Sequence, residues 1–131
     1  MKVLCLDLGD VWTGTALSDP LKFIARPYKT TKTVDLFPFL NELFEKEKID
    51  TIVIGYPRTM RGTESDQTKK VLAQKEQIQQ LYPHLKIILW DERLSSKGAR
   101  TIQGKKAKTE STNEHSIAAA LILQTYLQFI Y

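Results

Sequence analysis

The chain of 131 residues carries one cysteine, Cys5, so no intrachain disulfide can form. Cys5 lies in an apolar, strand-like run, where packing rather than redox chemistry is the expected role. Long apolar runs are missing as well. The longest uninterrupted one is "IAAALIL" from Ile117, far short of the roughly 20 residues that cross a bilayer as a helix. The N-terminal apolar stretch meets Asp7 before it could serve as a signal h-region. No membrane association is expected, and the chain reads as cytoplasmic. No internal repeat or low-complexity linker divides it. Its length and 42% hydrophobic content suit a single domain, residues 1–131, with one core of its own.

Acidic residues are absent from one segment. Between Arg93 and Lys108, "RLSSKGARTIQGKKAK" holds Arg93, Lys97, Arg100, Lys105, Lys106 and Lys108 with no carboxylate, which is more than the whole net charge of +4. Clustered cations without counter-charges are the footprint of a polyanion binder. A solvated loop and helix face is the alternative reading of such a run.

The apolar spacing predicts the elements. "KVLCLDL" reads as a buried strand with Val3, Cys5 and Asp7 on one face and Leu4, Leu6 and Leu8 on the other. "WTGTALS" is a second strand reached through a tight turn near Gly9, and "IARPYKT" a third, confined by Pro27 to an edge or a short run. Helical spacing follows from Val34 to Lys46 through Leu36, Phe37, Leu40, Leu43 and Phe44. "DTIVIGY" is a buried strand ended by Pro57, helix returns from about Glu64 to Leu81, and "KIILWDE" is another strand. A short helix is expected from Ser95 and a final one from about Ser111, where Ser111 to Glu114 reads as a capping box. This order implies an α/β domain: a mixed five-stranded sheet, three antiparallel strands then β-α-β crossovers, with helices on both faces.

One carboxylate stands out. Asp7 occupies a core-facing position of the first strand, where it either bonds nearby amides or projects to hold a metal ion or a phosphate. In open sheets of this kind functional side chains gather at the carboxyl ends of parallel strands. Asp7, the "GYPRTMRG" loop from Gly55 and the "DER" at Asp91 to Arg93 all follow such strands.

These segments also resemble a known family. "DLGDVWTGTALSD", "VIGYPRTMRGTES", "DERLSS" and "SIAAALILQTYL" are similar, in order and over essentially the whole chain, to the motifs of the YqgF family. That family, also called RuvX, comprises Holliday junction resolvases and pre-16S ribosomal RNA nucleases of RNase H-like fold. The resemblance implies an RNase H-like sheet and a phosphodiester-cleaving endonuclease that uses Mg²⁺ or Mn²⁺, hard cations suited to oxygen ligands. It implies Asp7 as the first ligand and Glu92 as the second, with Asp91 the other choice, since strand alternation forbids both from pointing one way. Arg58, Arg61, Arg93, Lys105, Lys106 and Lys108 are the expected contacts to a phosphate backbone. The implied role is processing of the 5′ end of pre-16S ribosomal RNA, with branched DNA as the other substrate. RNA and DNA both stand, because no element that reads bases or a 2′-hydroxyl is recognisable, and no feature sets an oligomeric state.

Two positions depart from the family pattern. Its third carboxylate, three residues before the alanine patch of the last helix, falls on His115, which helical spacing groups with Ala118, Ala119 and Ile122 on the inward face. The resemblance makes His115 a third ligand or a base for water. Val11 and Trp12 replace a common basic pair, and Trp12 is either a stacking platform for an unpaired base or a filler of space. A nucleic-acid-binding protein of the same fold without catalysis is therefore the second class of function. An actin-like phosphotransferase, whose phosphate loops also open with D-x-G, is a third, and it needs two such domains around a nucleotide.

Overall fold

The computed structural model describes residues 1–56, 66–91 and 111–130. Five strands form one sheet: β1 (Lys2–Leu8), β2 (Trp12–Ser18), β3 (Ala25–Lys32), β4 (Ile49–Tyr56) and β5 (Lys86–Asp91). Their spatial order is β3-β2-β1-β4-β5. β1 pairs antiparallel with β2 and parallel with β4, and β4 pairs parallel with β5. The antiparallel meander followed by crossovers thus forms as expected. The helices are α1 (Leu36–Lys46), α2 (Asp66–Leu81) and α3 (Ser111–Ile130). The short helix expected from Ser95 and the side chain of Ser111 lie outside the described residues.

Alternation along β1 divides the core in two. Leu4, Leu6 and Leu8 pack with Leu36, Leu40 and Leu43 of α1 and Val71 and Ile78 of α2. Val3 and Cys5 pack on the other face with Ala119, Leu123 and Leu127 of α3. Each helix buries one stripe; in α1 the spacing i, i+4, i+7 of Leu36, Leu40 and Leu43 sets it. Pro38 sits in the first turn of α1, where its missing N–H has no intrahelical acceptor to lose.

β3 is an edge strand, as Pro27 requires, but runs eight residues. Its register with β2 shifts between Gly14 and Ala16. At that shift the buried Thr15 hydroxyl takes the place of ladder bonds, accepting from the Lys29 N–H (3.0 Å) and donating to the Lys29 carbonyl (2.5 Å). Helix begins later than the apolar spacing suggests: Thr33–Asp35 is a 3-10 turn, and α1 starts at Leu36. Val34, 84% exposed, contributes nothing to the buried stripe.

The turn from β2 to β3 is organised by Asp19. Its carboxylate accepts from the N–H groups of Ile24 (2.7 Å), Phe23 (2.8 Å) and Leu21 (3.2 Å), and Lys22 closes the turn with φ 63°. These bonds, that from Ile24 foremost, hold the Asp19 carboxyl below its ordinary value of 3.8. A carboxyl whose pKa is depressed by folding stabilises the fold above its unfolded value and ceases to as pH falls through the folded one. Asp19→Ala is therefore expected to lower Tm at neutral pH, with the gap to wild type closing below about pH 4. Thermal melts of both proteins across that range test it; a gap independent of pH would remove the carboxylate from the explanation.

Candidate active site

The three parallel strands end together. Leu6 is level with Ile54, Ile54 with Leu89, and Tyr56 with Asp91. Asp7, one residue past Leu6, therefore sits at the carboxyl-end edge of the sheet on its central strand. It is half-buried and shares the parity of Val3 and Cys5, the face covered by α3.

Gly14 is the register partner of Asp7 on β2. A Cβ built on Gly14 would lie 2.0 Å from the His115 carbonyl oxygen and 2.8 Å from the Ser116 nitrogen. The first turn of α3 therefore rests directly on Gly14, a contact that only a residue without a side chain permits. Since directly opposed residues of an antiparallel pair lie about 5 Å apart, the backbone at His115 rests one strand over from Asp7.

The facing of α3 differs from the expected one. Its buried line runs through Ser116, Ala119, Ala120, Leu123 and Leu127, joined by Ile122 and Tyr126, while His115 and Ala118 are half-buried on the flank. The helix is turned by about one residue from the line through 115, 118, 119 and 122, which sets three small residues, Ser116, Ala119 and Ala120, against the sheet. Ser116, buried between His115 and the alanines, escaped the sequence reading. Its signal was small-residue spacing at 116, 119 and 120.

Asp91 is on the other face. Ile88 and Trp90 pack with α3, Ile87 and Leu89 with the core of α1 and α2, so alternation assigns Asp91 to the latter side, away from Asp7. Trp90 itself ties β5 to α3 through edge-on contacts with Tyr126 (5.4 Å) and Phe129 (5.1 Å). Glu92, Arg58, Arg61, Arg93, Lys105, Lys106 and Lys108 lie outside the described residues. Among the described residues, no group of three or more His, Cys, Asp or Glu side chains gathers to hold a metal.

The turn after Asp7 is clamped. Thr33 Oγ1 donates to the Gly9 carbonyl (2.7 Å) and shares a hydrogen bond with the buried Thr13 hydroxyl (2.9 Å), while its N–H donates to the Val11 carbonyl (2.8 Å). A Cβ on Gly9 would meet the Trp12 carbonyl at 2.5 Å, which explains the glycine. Val11 projects from this turn, 62% exposed, and Trp12 is half-buried. Neither hydroxyl was singled out by sequence, because their partnership joins residues 20 apart.

Residues 1–129 match a family model described as RuvX, Holliday junction resolvase. The chain belongs to the RuvX family. It is 35% identical over 129 residues to a protein of Rubrobacter xylanophilus named "Putative pre-16S rRNA nuclease", covering 97% of this chain and 92% of that one. A protein of the same name from Caldicellulosiruptor bescii is 35% identical over 135 residues, covering 98% and 97%. Among solved structures, RuvC of T. thermophilus in complex with a Holliday junction substrate is similar at a TM-score of 0.63 and 14% identity, covering 98% of this chain and 96% of that one. The fold of this RuvX-family chain is accordingly RNase H-like.

Proposed function

We propose that this RuvX-family chain is a metal-dependent endonuclease on structured nucleic acid that processes the 5′ end of pre-16S ribosomal RNA in the cytoplasm. The observation that carries the reading is the Gly14 contact, which puts the start of α3, with His115, beside a carboxylate at the end of the central strand. The names of the relatives favour the RNA substrate, and the family description favours branched DNA as the second.

The donors suit a divalent cation: Asp7 offers hard carboxylate oxygens and His115 an imidazole nitrogen, with Glu92 as the next ligand and Asp91 disfavoured by its facing. Mg²⁺ or Mn²⁺ bound there would supply Lewis-acid stabilisation and an activated water. The protein's own part is to hold these donors on rigid elements, with His115 either ligating or taking a proton from water, while Arg58, Arg61, Arg93, Lys105, Lys106 and Lys108 neutralise phosphates. A cleavage assay on single strands, duplexes, four-way junctions and ribosomal precursor, each with and without metal, tests the whole reading. Binding without cleavage under every metal condition would leave a non-catalytic binder, the reading that Val11 at the Asp7 turn favours.

His115 gives the sharpest check on this centre. Imidazole suits Mn²⁺ better than Mg²⁺, so cleavage is expected to be faster with Mn²⁺. His115→Asp shifts the preference toward Mg²⁺. His115→Ala lowers the rate by about 10²-fold. Wild-type rate and metal preference in His115→Ala would exclude both roles and return the third position to Glu114 or the Asp91-Glu92 pair.

A further inference from the structure

Beyond Asp7 the sheet edge opens into a cleft of about 560 Å³ lined by Gly9, Asp10, Thr33, Lys70, Gln74 and Gln77. One wall is the clamped β1–β2 turn and the 3-10 turn; the other is α2. On α2 the residues Lys70, Gln74 and Gln77 recur at i, i+4 and i+7, a polar stripe beside the buried Val71 and Ile78. The exposed Ala73 between them leaves the wall low. None of these α2 side chains serves the core or the centre at Asp7.

We propose that this cleft holds the sugar-phosphate backbone of the nucleic acid where it leaves the Asp7 centre, an inference that rests on the nuclease reading above. Lys70 pairs with a phosphate, and Gln74 and Gln77 bond phosphate or sugar oxygens, the contacts that position a nucleic acid without reading its sequence. Seven residues of helix rise about 10 Å, which spans roughly three nucleotides at 3.4 Å per step. Gly9 and Asp10 of the cleft follow Asp7 by two and three residues on the same turn, so a backbone leaving Asp7 on the α3 face crosses the carboxyl-end edge of the sheet there to reach the α2 face.

In the free protein Lys70 Nζ is 3.1 Å from the Asp10 carboxylate, with the two side chains 61% and 58% exposed. A pair that open to water holds weakly, so a phosphate can displace Asp10 and take over the ammonium. Asp10 then competes with the substrate, and the two partners have opposite effects on binding. If the pair were only structural, both substitutions would act alike, on Tm, and neither on binding.

Binding is measured with labelled duplex and branched RNA and DNA across a salt series, in metal-free buffer so that nothing is cut. Lys70→Ala is expected to weaken binding several-fold and to reduce the slope of log K against log salt by about 0.7 to 0.9. Asp10→Asn is expected to tighten binding several-fold. Glu76→Gln, which changes net charge equally on an exposed position of α2 outside the cleft, is expected to have a much smaller effect. Wild-type slope and affinity in Lys70→Ala, or an Asp10→Asn effect no larger than that of Glu76→Gln, overturns the cleft while leaving the nuclease reading intact. A wild type that binds none of the probes overturns the cleft, and the cleavage assay with metal decides the nuclease reading separately.

Discussion

Asp7→Asn is expected to lower cleavage by about 10³-fold or more while the protein stays folded and at least as stable as wild type in metal-free buffer. The side chain sits at the end of a strand whose preceding residues on that face, Val3 and Cys5, are fully buried. A half-buried carboxylate there has to be paired or bound to a cation, and a divalent cation would add to the partners that Asp7 has in the free protein. Asparagine fills the same space and keeps hydrogen-bonding capacity but gives up the charge that holds the metal. A divalent cation should raise the wild-type Tm, because it binds only the folded site, and should leave the Tm of the variant unmoved. Melts with and without Mn²⁺, beside a cleavage assay, separate the cases. A variant that unfolds readily, beside a wild type whose Tm ignores metal, would make Asp7 a structural residue and end the active-site reading.

Asp7 was legible as a candidate because a carboxylate interrupts apolar alternation on a strand, a purely local signal. The same alternation gave β1 and β2 their ends and fixed which residues face α3. The facing of α3 was not legible in the same way. Ile117, Leu121 and Ile122 spread apolar side chains around the helix, so periodicity alone leaves its rotation poorly determined. The rotation is decided by a non-local contact, the fit of Ser116 and the alanines onto Gly14 and Ala16, which moves His115 to the flank. Non-local partners also hid the clamp: Thr33 looks like an ordinary helix-start residue until its hydroxyl meets Gly9. Lys70 was one lysine among several on α2, and only the fold sets it beside Asp10. The family motifs marked candidate residues for the chemistry, but they did not show that Gly14 within "WTGTALS" is the seat of the last helix.

Gly14→Ala follows from that seat and should have the largest effect on stability. The added methyl would stand 2.0 Å from the His115 carbonyl oxygen and 2.2 Å from its carbon, distances at which backbone must move, since no flexible side-chain end is there to yield. β2 cannot retreat, because it is held between β1 and β3 on both sides. The first turn of α3 has to lift, which breaks the fit of Ser116 and Ala119 on the sheet and draws His115 away from Asp7. Overpacking of this kind costs about 1–3 kcal/mol and sometimes more, so Tm should fall by roughly 10 °C. Cleavage should fall further than the folded fraction does, because the geometry at His115 is lost even in molecules that remain folded. The measurement is cleavage at a temperature where circular dichroism shows the variant fully folded, compared with a destabilised control such as Leu123→Ala, which opens the α3 core away from this seat. Equal loss in the two variants would reduce Gly14 to general packing; wild-type Tm and activity in Gly14→Ala would mean that α3 does not rest on β2 as described.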